Sequence, residues 1–335
     1  MKADPKQVHV SKEYAHGAPL INCRFDPKGQ HVFATAQDRA IIRWRLTDGK
    51  KSEFKAHDSW VRGLAFSPNG ETLVTAGYDD TLVWWPANAE KPTPIRQVKA
   101  HAGWIRAIAS SPDGRLLASG GNDRVLKLWN LGNGKLMHEM KGHELDIYSV
   151  MFHPDGKHLL SGDLMGHIRQ WEIATGKEVR RFEAKDLHTY NTGQKVHYGG
   201  VRSLALSADQ KHLIAGGLHK GTNPLGAVNE PLIMRFDWES QKVLKKHIAD
   251  GVKGVIWRNV IHPDGFVIGC SGGSGGGYLL FWQAKEDKAF HKFKLPDTAR
   301  EMDLHPDGVT LATVHGNSKL ALSKLAPKPK PEKKK

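Results

Sequence analysis

Cysteine is nearly absent. The 335 residues hold only Cys23 and Cys270, too few and too far apart for the disulfide framework of a small secreted domain. Both sit among apolar or small neighbours, whereas a reactive thiol needs an exposed, electropositive setting, so they read as small buried hydrophobes. Long apolar runs are also missing: no 18-residue apolar stretch occurs, and Met1 to Tyr14 is polar and charged. The sequence therefore offers no membrane span or export signal, and the expected location is cytoplasmic. Acidic residues are outnumbered, 35 Asp and Glu against 49 Lys and Arg, for a net charge of +14. That excess favours anionic partners, either acidic protein surfaces or nucleic acid. The 19 histidines never fall in H-x-x-x-H spacing with further ligands, nor the cysteines in CxxC, so no metal site is expected. No cofactor is expected either.

What is present is a repeat. A His is followed ten residues later by a Pro-containing turn, and in most copies by Asp at His+22 and Trp at His+28. Four copies keep this register without gaps, starting at His16, His57, His101 and His143, with spacings of 41, 44 and 42. Their turns are Asp26-Pro27-Lys28-Gly29, Ser67-Pro68-Asn69-Gly70, Ser111-Pro112-Asp113-Gly114 and His153-Pro154-Asp155-Gly156. Pro presets φ and Gly accepts positive φ, so each is a tight reversal, and the flanking β-branched, apolar runs are strands. A fifth unit begins at His197, with a degraded turn over Ser207 to Gln210 and Phe236 in the Trp slot. Two more are anchored by His262-Pro263-Asp264-Gly265 with Trp282, and by His305-Pro306-Asp307-Gly308 with Ser323.

This period and terminal Trp resemble the WD40 repeat family, and the resemblance implies an all-β, seven-bladed β-propeller with four antiparallel strands per blade. The propeller is expected to span residues 1–326, followed by a disordered Lys/Pro-rich tail over 327–335. The Trp-Asp dipeptide itself is missing from the Trp positions; only Phe236 is followed by Asp, at Asp237. The seventh unit supplies three strands, and the strand-like segment Gln7 to Tyr14 is spare. Placed as the outer strand of the last blade, it closes the ring without an open edge.

Some residues mimic catalytic groups. His57, Thr75, Asp79 and Trp85, like His101, Ser119, Asp123 and Trp129, match the family's structural hydrogen-bond tetrad, so they read as blade cement and no residue is expected to be catalytic. Ala34 replaces the hydroxyl of blade 1 and Met165 the Asp of blade 4, which makes those tetrads partial. Gly269-Cys270-Ser271-Gly272-Gly273 fits the letter of the G-x-S-x-G elbow, but that motif needs a strand followed by a helix. Here glycines follow.

The resemblance also implies a partner-binding top face, supplied by the residues at His+3, at His+5 and just before the tetrad Asp. These are Trp60, Arg62 and Tyr78 in blade 2, Trp104, Arg106 and Asn122 in blade 3, and Tyr148 and Arg202 in blades 4 and 5. Counting back from the turns adds Trp257 and Arg300. Trp, Tyr and Arg dominate binding hot spots. Insertions around Lys185 to Lys195 and over Lys220 to Glu230 fall on the same face, where function concentrates in long loops. The expected function is a non-catalytic scaffold, a monomeric propeller within a larger complex, that binds protein partners through an acidic or phosphorylated segment. The alternative is an RNA- or DNA-binding propeller, and a propeller enzyme is third.

Overall fold

A computed structural model describes residues 2–222 and 229–329 of the chain. They form seven four-stranded antiparallel sheets arranged as propeller blades, plus one two-stranded hairpin. Blades 1 to 6 cover residues 20–54, 61–99, 105–141, 147–183, 203–248 and 255–294 in chain order. Blade 7 takes three strands from 299–325 and its fourth from the N-terminus: Val8–Ala15 pairs antiparallel with Lys319–Leu325, from Val8 opposite Leu325 to Ala15 opposite Lys319. The ring is closed by joining the two ends of the chain, as expected.

The strand patterns follow from this packing. In blade 2 the second and third strands, Thr72–Gly77 and Thr81–Pro86, are buried over nearly their whole length, because each face meets another blade. Such strands read as continuous apolar runs. The outer strand Arg96–Lys99 alternates between part-buried and exposed positions, as an edge with one covered face does. Apolar clusters lie between adjacent blades. Phe33, Ile41 and Phe54 of blade 1 meet Val61, Phe66 and Trp85 of blade 2; Tyr14 and Leu320 of blade 7 meet Trp44 and Cys23 of blade 1. Both cysteines are fully buried and unpaired with each other.

The turns between first and second strands behave as their sequences require. Gly70 sits at φ 71°, and in the degraded turn of blade 5 Gln210 adopts the same left-handed conformation at φ 59°. The insertion after blade 4 folds as a 3₁₀ turn, Lys185–Leu187, and a hairpin of His188–Asn191 with Val196–Gly199. His197 belongs to that hairpin, where its Nδ1 lies 2.9 Å from His188 Nε2. It does not anchor blade 5, whose first strand begins at Ser203. Most of the second insertion, residues 223–228, and the end of the Lys/Pro tail, residues 330–335, lie outside the described residues.

Candidate functional site

Two kinds of polar constellation interrupt this apolar fold. The first lies between strands. His57 Nδ1 is 2.9 Å from Asp79 Oδ2, its Nε2 is 2.7 Å from Thr75 Oγ1, and Trp85 Nε1 donates to the same hydroxyl at 2.9 Å. Blade 3 repeats the arrangement with His101, Asp123, Ser119 and Trp129. The histidines and hydroxyls are buried, so each bond satisfies a group that would otherwise be desolvated without a partner. Burial pulls the carboxyls of Asp79 and Asp123 up, but the histidine bonds and backbone N–H donors outweigh it and leave both below the ordinary range.

Blade 4 corrects the expectation of a partial tetrad. Its His143 bonds Ser161 through Nε2 at 2.6 Å and Asp163 through Nδ1 at 2.7 Å, and Trp171 completes the set. The acid comes from His+20, so Met165 at His+22 is not a vacancy. Geometry explains the swap: at the matching position of blade 2, Gly77, an added Cβ would point at the Asp79 carboxylate and the His57 ring, 2.3 and 2.6 Å away. An Asp placed there delivers its carboxylate directly. Blade 1 is partial as read. With Ala34 in the hydroxyl slot, His16 turns Nε2 to Asp38 at 2.8 Å and Nδ1 to Lys51 at 2.9 Å. Blade 7 builds a substitute from Thr313 Oγ1 and His315 Nε2, 2.9 Å apart.

The other catalytic look-alikes are structural. Gly269 to Gly273 lies within the strand Val267–Gly273, paired on both sides, and Ser271 is fully buried. Its glycines are set by close approach: a Cβ on Gly272 would lie 1.9 Å from the Ala299 carbonyl oxygen. Among the described residues one trio, His153, Asp155 and His158, brings ligand atoms within 4.8 Å of one another. Asp155 is already bonded to His158 at 2.6 Å, and the Asp155 N–H donates to His153 Nδ1 at 3.2 Å. The trio ties off a turn.

The second constellation is the mouth of the central channel, a cavity of about 300 Å³. Trp60, Arg62, Tyr78, Arg106, Tyr148, Arg202, Trp257 and Arg300 all line it. Trp104 and Asn122 do not. Trp104 stacks on Tyr78, with centroids 4.4 Å apart and planes 3° from parallel, and Asn122 Oδ1 accepts from Arg106 Nε at 2.5 Å. Strand alternation alone does not aim these side chains. In six blades the first strand shifts register at the His+5 residue, so that Ile21, Arg62, Arg106, Tyr148, Trp257 and Arg300 have no partner on the second strand. A bulge kinks the strand and re-aims its extra residue. Arg202, in blade 5, precedes its strand instead.

The mouth alternates cations and rings. Arg202 lies 3.8 Å from the Tyr148 centroid, with Arg106 4.6 Å from the same ring. Arg62 and Arg202 stand 5.7 and 5.6 Å from Trp257. Arg106 has an acid within reach, Asp146 at 3.4 Å. Among the described residues Arg62, Arg202 and Arg300 have none within 4.0 Å; Arg62 donates to the Ile21 carbonyl at 2.8 Å, and Arg202 Nε is buried without a partner. Burial pulls the Arg202 guanidinium below its ordinary range, and the charges of Arg106 and Arg62 add to it against the pull of Tyr148.

Sequence reading missed the deeper charges. Arg24 and Arg258 line the same cavity and flank Glu301, at 3.5 and 4.0 Å. The available signal was a charged residue inside an otherwise apolar inner strand, as in Cys23-Arg24-Phe25.

Residues 49–86, 92–130 and 134–172 match the WD40 family, described as WD domain, G-beta repeat. Each matched stretch runs from the outer strand of one blade through three strands of the next, which is the phase that ring closure demands. The chain is similar to nuclear distribution protein nudF 2 of Talaromyces marneffei, 33% identical over 22% of this chain and 15% of the relative. It is also similar to nuclear distribution protein PAC1 of Mycosarcoma maydis, 44% identical over 14% and 11%, and to the guanine nucleotide-binding protein subunit beta of Zea mays, 31% over 19% and 17%. The chain thus spans less than a fifth of the length of each of these relatives. Residues 49–172 thus carry three WD40 repeats, within a chain whose described residues fold as seven four-stranded propeller blades with a shared closing sheet.

Proposed function

We propose that this propeller is a non-catalytic scaffold that binds an acidic or phosphorylated segment of a partner protein at its channel mouth. The observation that carries this reading is the group of three arginines, Arg62, Arg202 and Arg300, facing one cavity with no carboxylate within 4.0 Å among the described residues. The guanidinium groups of Arg62 and Arg202 lie within about 6 Å of aromatic ring centroids, which restrains them, so a guest's carboxylate or phosphate meets ready-made, charge-assisted donors. The exposed plates of Trp60 and Trp104 on either side of Tyr78 add the aromatic surface that anchors interfaces.

The test is a pull-down with the wild-type chain and an Arg62→Ala/Arg106→Ala/Arg202→Ala variant whose melting curve matches wild type. The variant is expected to lose specific partners; identical partner lists would remove the reading. A second reading, nucleic-acid binding, is favoured by the +14 charge and by the same exposed indoles, on which bases could stack. It requires affinity for RNA or DNA that falls steeply with salt.

A further inference from the structure

We infer that a polar cavity between blades 1 and 2, at the far end of the strands from the channel mouth, binds a small, soluble phosphorylated polyol of the sugar phosphate class. The cavity has a volume of about 410 Å³, within the range that small ligands fill. Arg62, at the start of its first strand, marks the mouth end of a blade. Gln30 lies between the first and second strands of blade 1, and Thr47 and Lys50 lie in the turn after its third, Ile41–Arg45. Blade 2 adds Asn88 and Glu90 from the matching loop after Thr81–Pro86.

Comparison between blades shows what is unusual here. In blade 2, Trp84 precedes the tetrad Trp85, and its Nε1 donates to the Leu131 carbonyl of blade 3 at 2.8 Å. Blade 1 has Arg43 in that slot, and its guanidinium donates to the Ala87 carbonyl of blade 2 at 2.7 Å. Arg235 of blade 5 does the same to Ala284 of blade 6. Each acceptor lies two residues past the Trp slot of the next blade. This clamp needs one N–H. An indole has one, whereas a guanidinium has five. Arg43 uses a second on Ser52 Oγ at 3.2 Å, and among the described residues no carboxylate lies within 4.0 Å of it, Glu90 pairing with Lys50 and Asp48 with Arg45. Arg43 is nevertheless only 6% exposed. A buried cation without an anion is costly. Burial and the charge of Arg45 pull the Arg43 guanidinium below its ordinary range. His31, which lines the same cavity, has a buried Nδ1 with no hydrogen-bond partner.

The lining selects the guest. Every lining residue is polar, so an apolar guest would desolvate these groups without replacing their hydrogen bonds. Arg43, Arg45 and Lys50 stand against the single lining acid Glu90, an excess of two positive charges. A phosphomonoester answers it with a charge near −2 and three strong acceptor oxygens. The Lys50–Glu90 and Arg45–Asp48 pairs are exposed and therefore weak, so a bound dianion can replace them. The hydroxyls of Thr47 and Ser52 and the amides of Gln30 and Asn88 both donate and accept, as the hydroxyls of a sugar require.

The test is calorimetric titration of the full chain with glucose 6-phosphate, glucose and inorganic phosphate. Glucose 6-phosphate is expected to bind about tenfold tighter than either of the others, because it alone engages both the cations and the neutral polar groups. Arg43→Trp copies blade 2: it keeps an N–H for Ala87, fills the cavity, and is expected to abolish binding while the melting curve stays close to wild type. Lys50→Gln alters an exposed side chain and is expected to weaken binding about fivefold with no change in the melt; it decides the matter if Arg43→Trp does not fold. The Arg62→Ala/Arg106→Ala/Arg202→Ala variant should bind glucose 6-phosphate as wild type does. Loss of binding in that variant would move the phosphate to the channel and overturn the inference. Absence of binding, equal affinity for inorganic phosphate, or an unchanged affinity in Lys50→Gln would overturn it too. Vesicles containing phosphatidylinositol 4-phosphate are expected not to sediment the protein; sedimentation that Lys50→Gln abolishes would assign the cavity to a lipid headgroup and overturn the soluble ligand. None of these outcomes bears on partner binding at the channel mouth.

Discussion

Asp163 shows how much can rest on one residue. It is fully buried, it holds His143 at 2.7 Å, and its backbone neighbours Met165 and His167 donate N–H bonds to its other oxygen. Removing the acceptor of a buried hydrogen bond leaves its donors unsatisfied, which costs about 1–3 kcal/mol, more where the acceptor was charged. Asp163→Ala is therefore expected to lower the denaturation midpoint sharply, whereas Met165→Ala, at the formal tetrad position, should cost under about 1 kcal/mol. Chemical denaturation of the two variants distinguishes them, and equal losses would return Met165 to the tetrad. Buried histidines give a second residue-scale expectation. Burial lowers the pKa of His143, His247 and His315 below the ordinary value. Their neutral forms are favoured in the fold, so as pH falls below about 6.5 the unfolded chain takes up protons that these residues do not. Stability should fall with pH below that point, by up to about 1.4 kcal/mol per pH unit for each such histidine, until its folded pKa is reached. A melting temperature unchanged between pH 7.5 and 5.5 would contradict this.

At the scale of elements, the N-terminal strand decides whether the ring is closed. Val8–Ala15 covers the edge of Lys319–Leu325, Tyr14 stacks on Trp44 of blade 1 at 5.5 Å, and the Asp4 N–H donates to the Leu325 carbonyl. Deleting residues 1–14 would open a long strand edge and expose part of the cluster between blades 7 and 1. The melting temperature is expected to drop by about 10 °C or more, read by circular dichroism. A melt like that of wild type would show the seventh blade to be stable with three strands. The bulges are the other decisive elements. Each places an extra residue at the top of a first strand, and six blades do so at the same slot, so the channel mouth is a repeated backbone feature filled with different side chains.

Across the whole molecule, charge is spread unevenly. The chain is basic overall, but the channel concentrates arginines, among them Arg202, which burial desolvates, and there a charge interacts more strongly than on the open surface. Salt therefore separates the two functional readings. Binding of an anionic segment in the channel should weaken modestly between 50 and 200 mM salt, roughly the range over which six to ten phosphate contacts would cost a nucleic-acid complex about 10³-fold or more. Affinity measured at both ends of that range decides between them.

The sequence by itself determined the blade count, the turns, the closing strand and the tetrads of blades 2 and 3, because these depend on local chemistry repeated at a fixed period: Pro and Gly in turns, apolar runs in strands, His and Trp at set offsets. It also picked out most of the channel-mouth residues by type. What only the tertiary structure decided are contacts between segments distant in the chain. Asp163 could be recognised as the blade 4 acid only once its Cβ direction was known, and His197 left its blade because a hairpin with His188 took it. Arg24, Arg258 and Glu301 come from three different blades, separated by up to 277 residues, and meet only when the ring closes. A repeat records what each blade does alone; the channel is made by all seven facing inward.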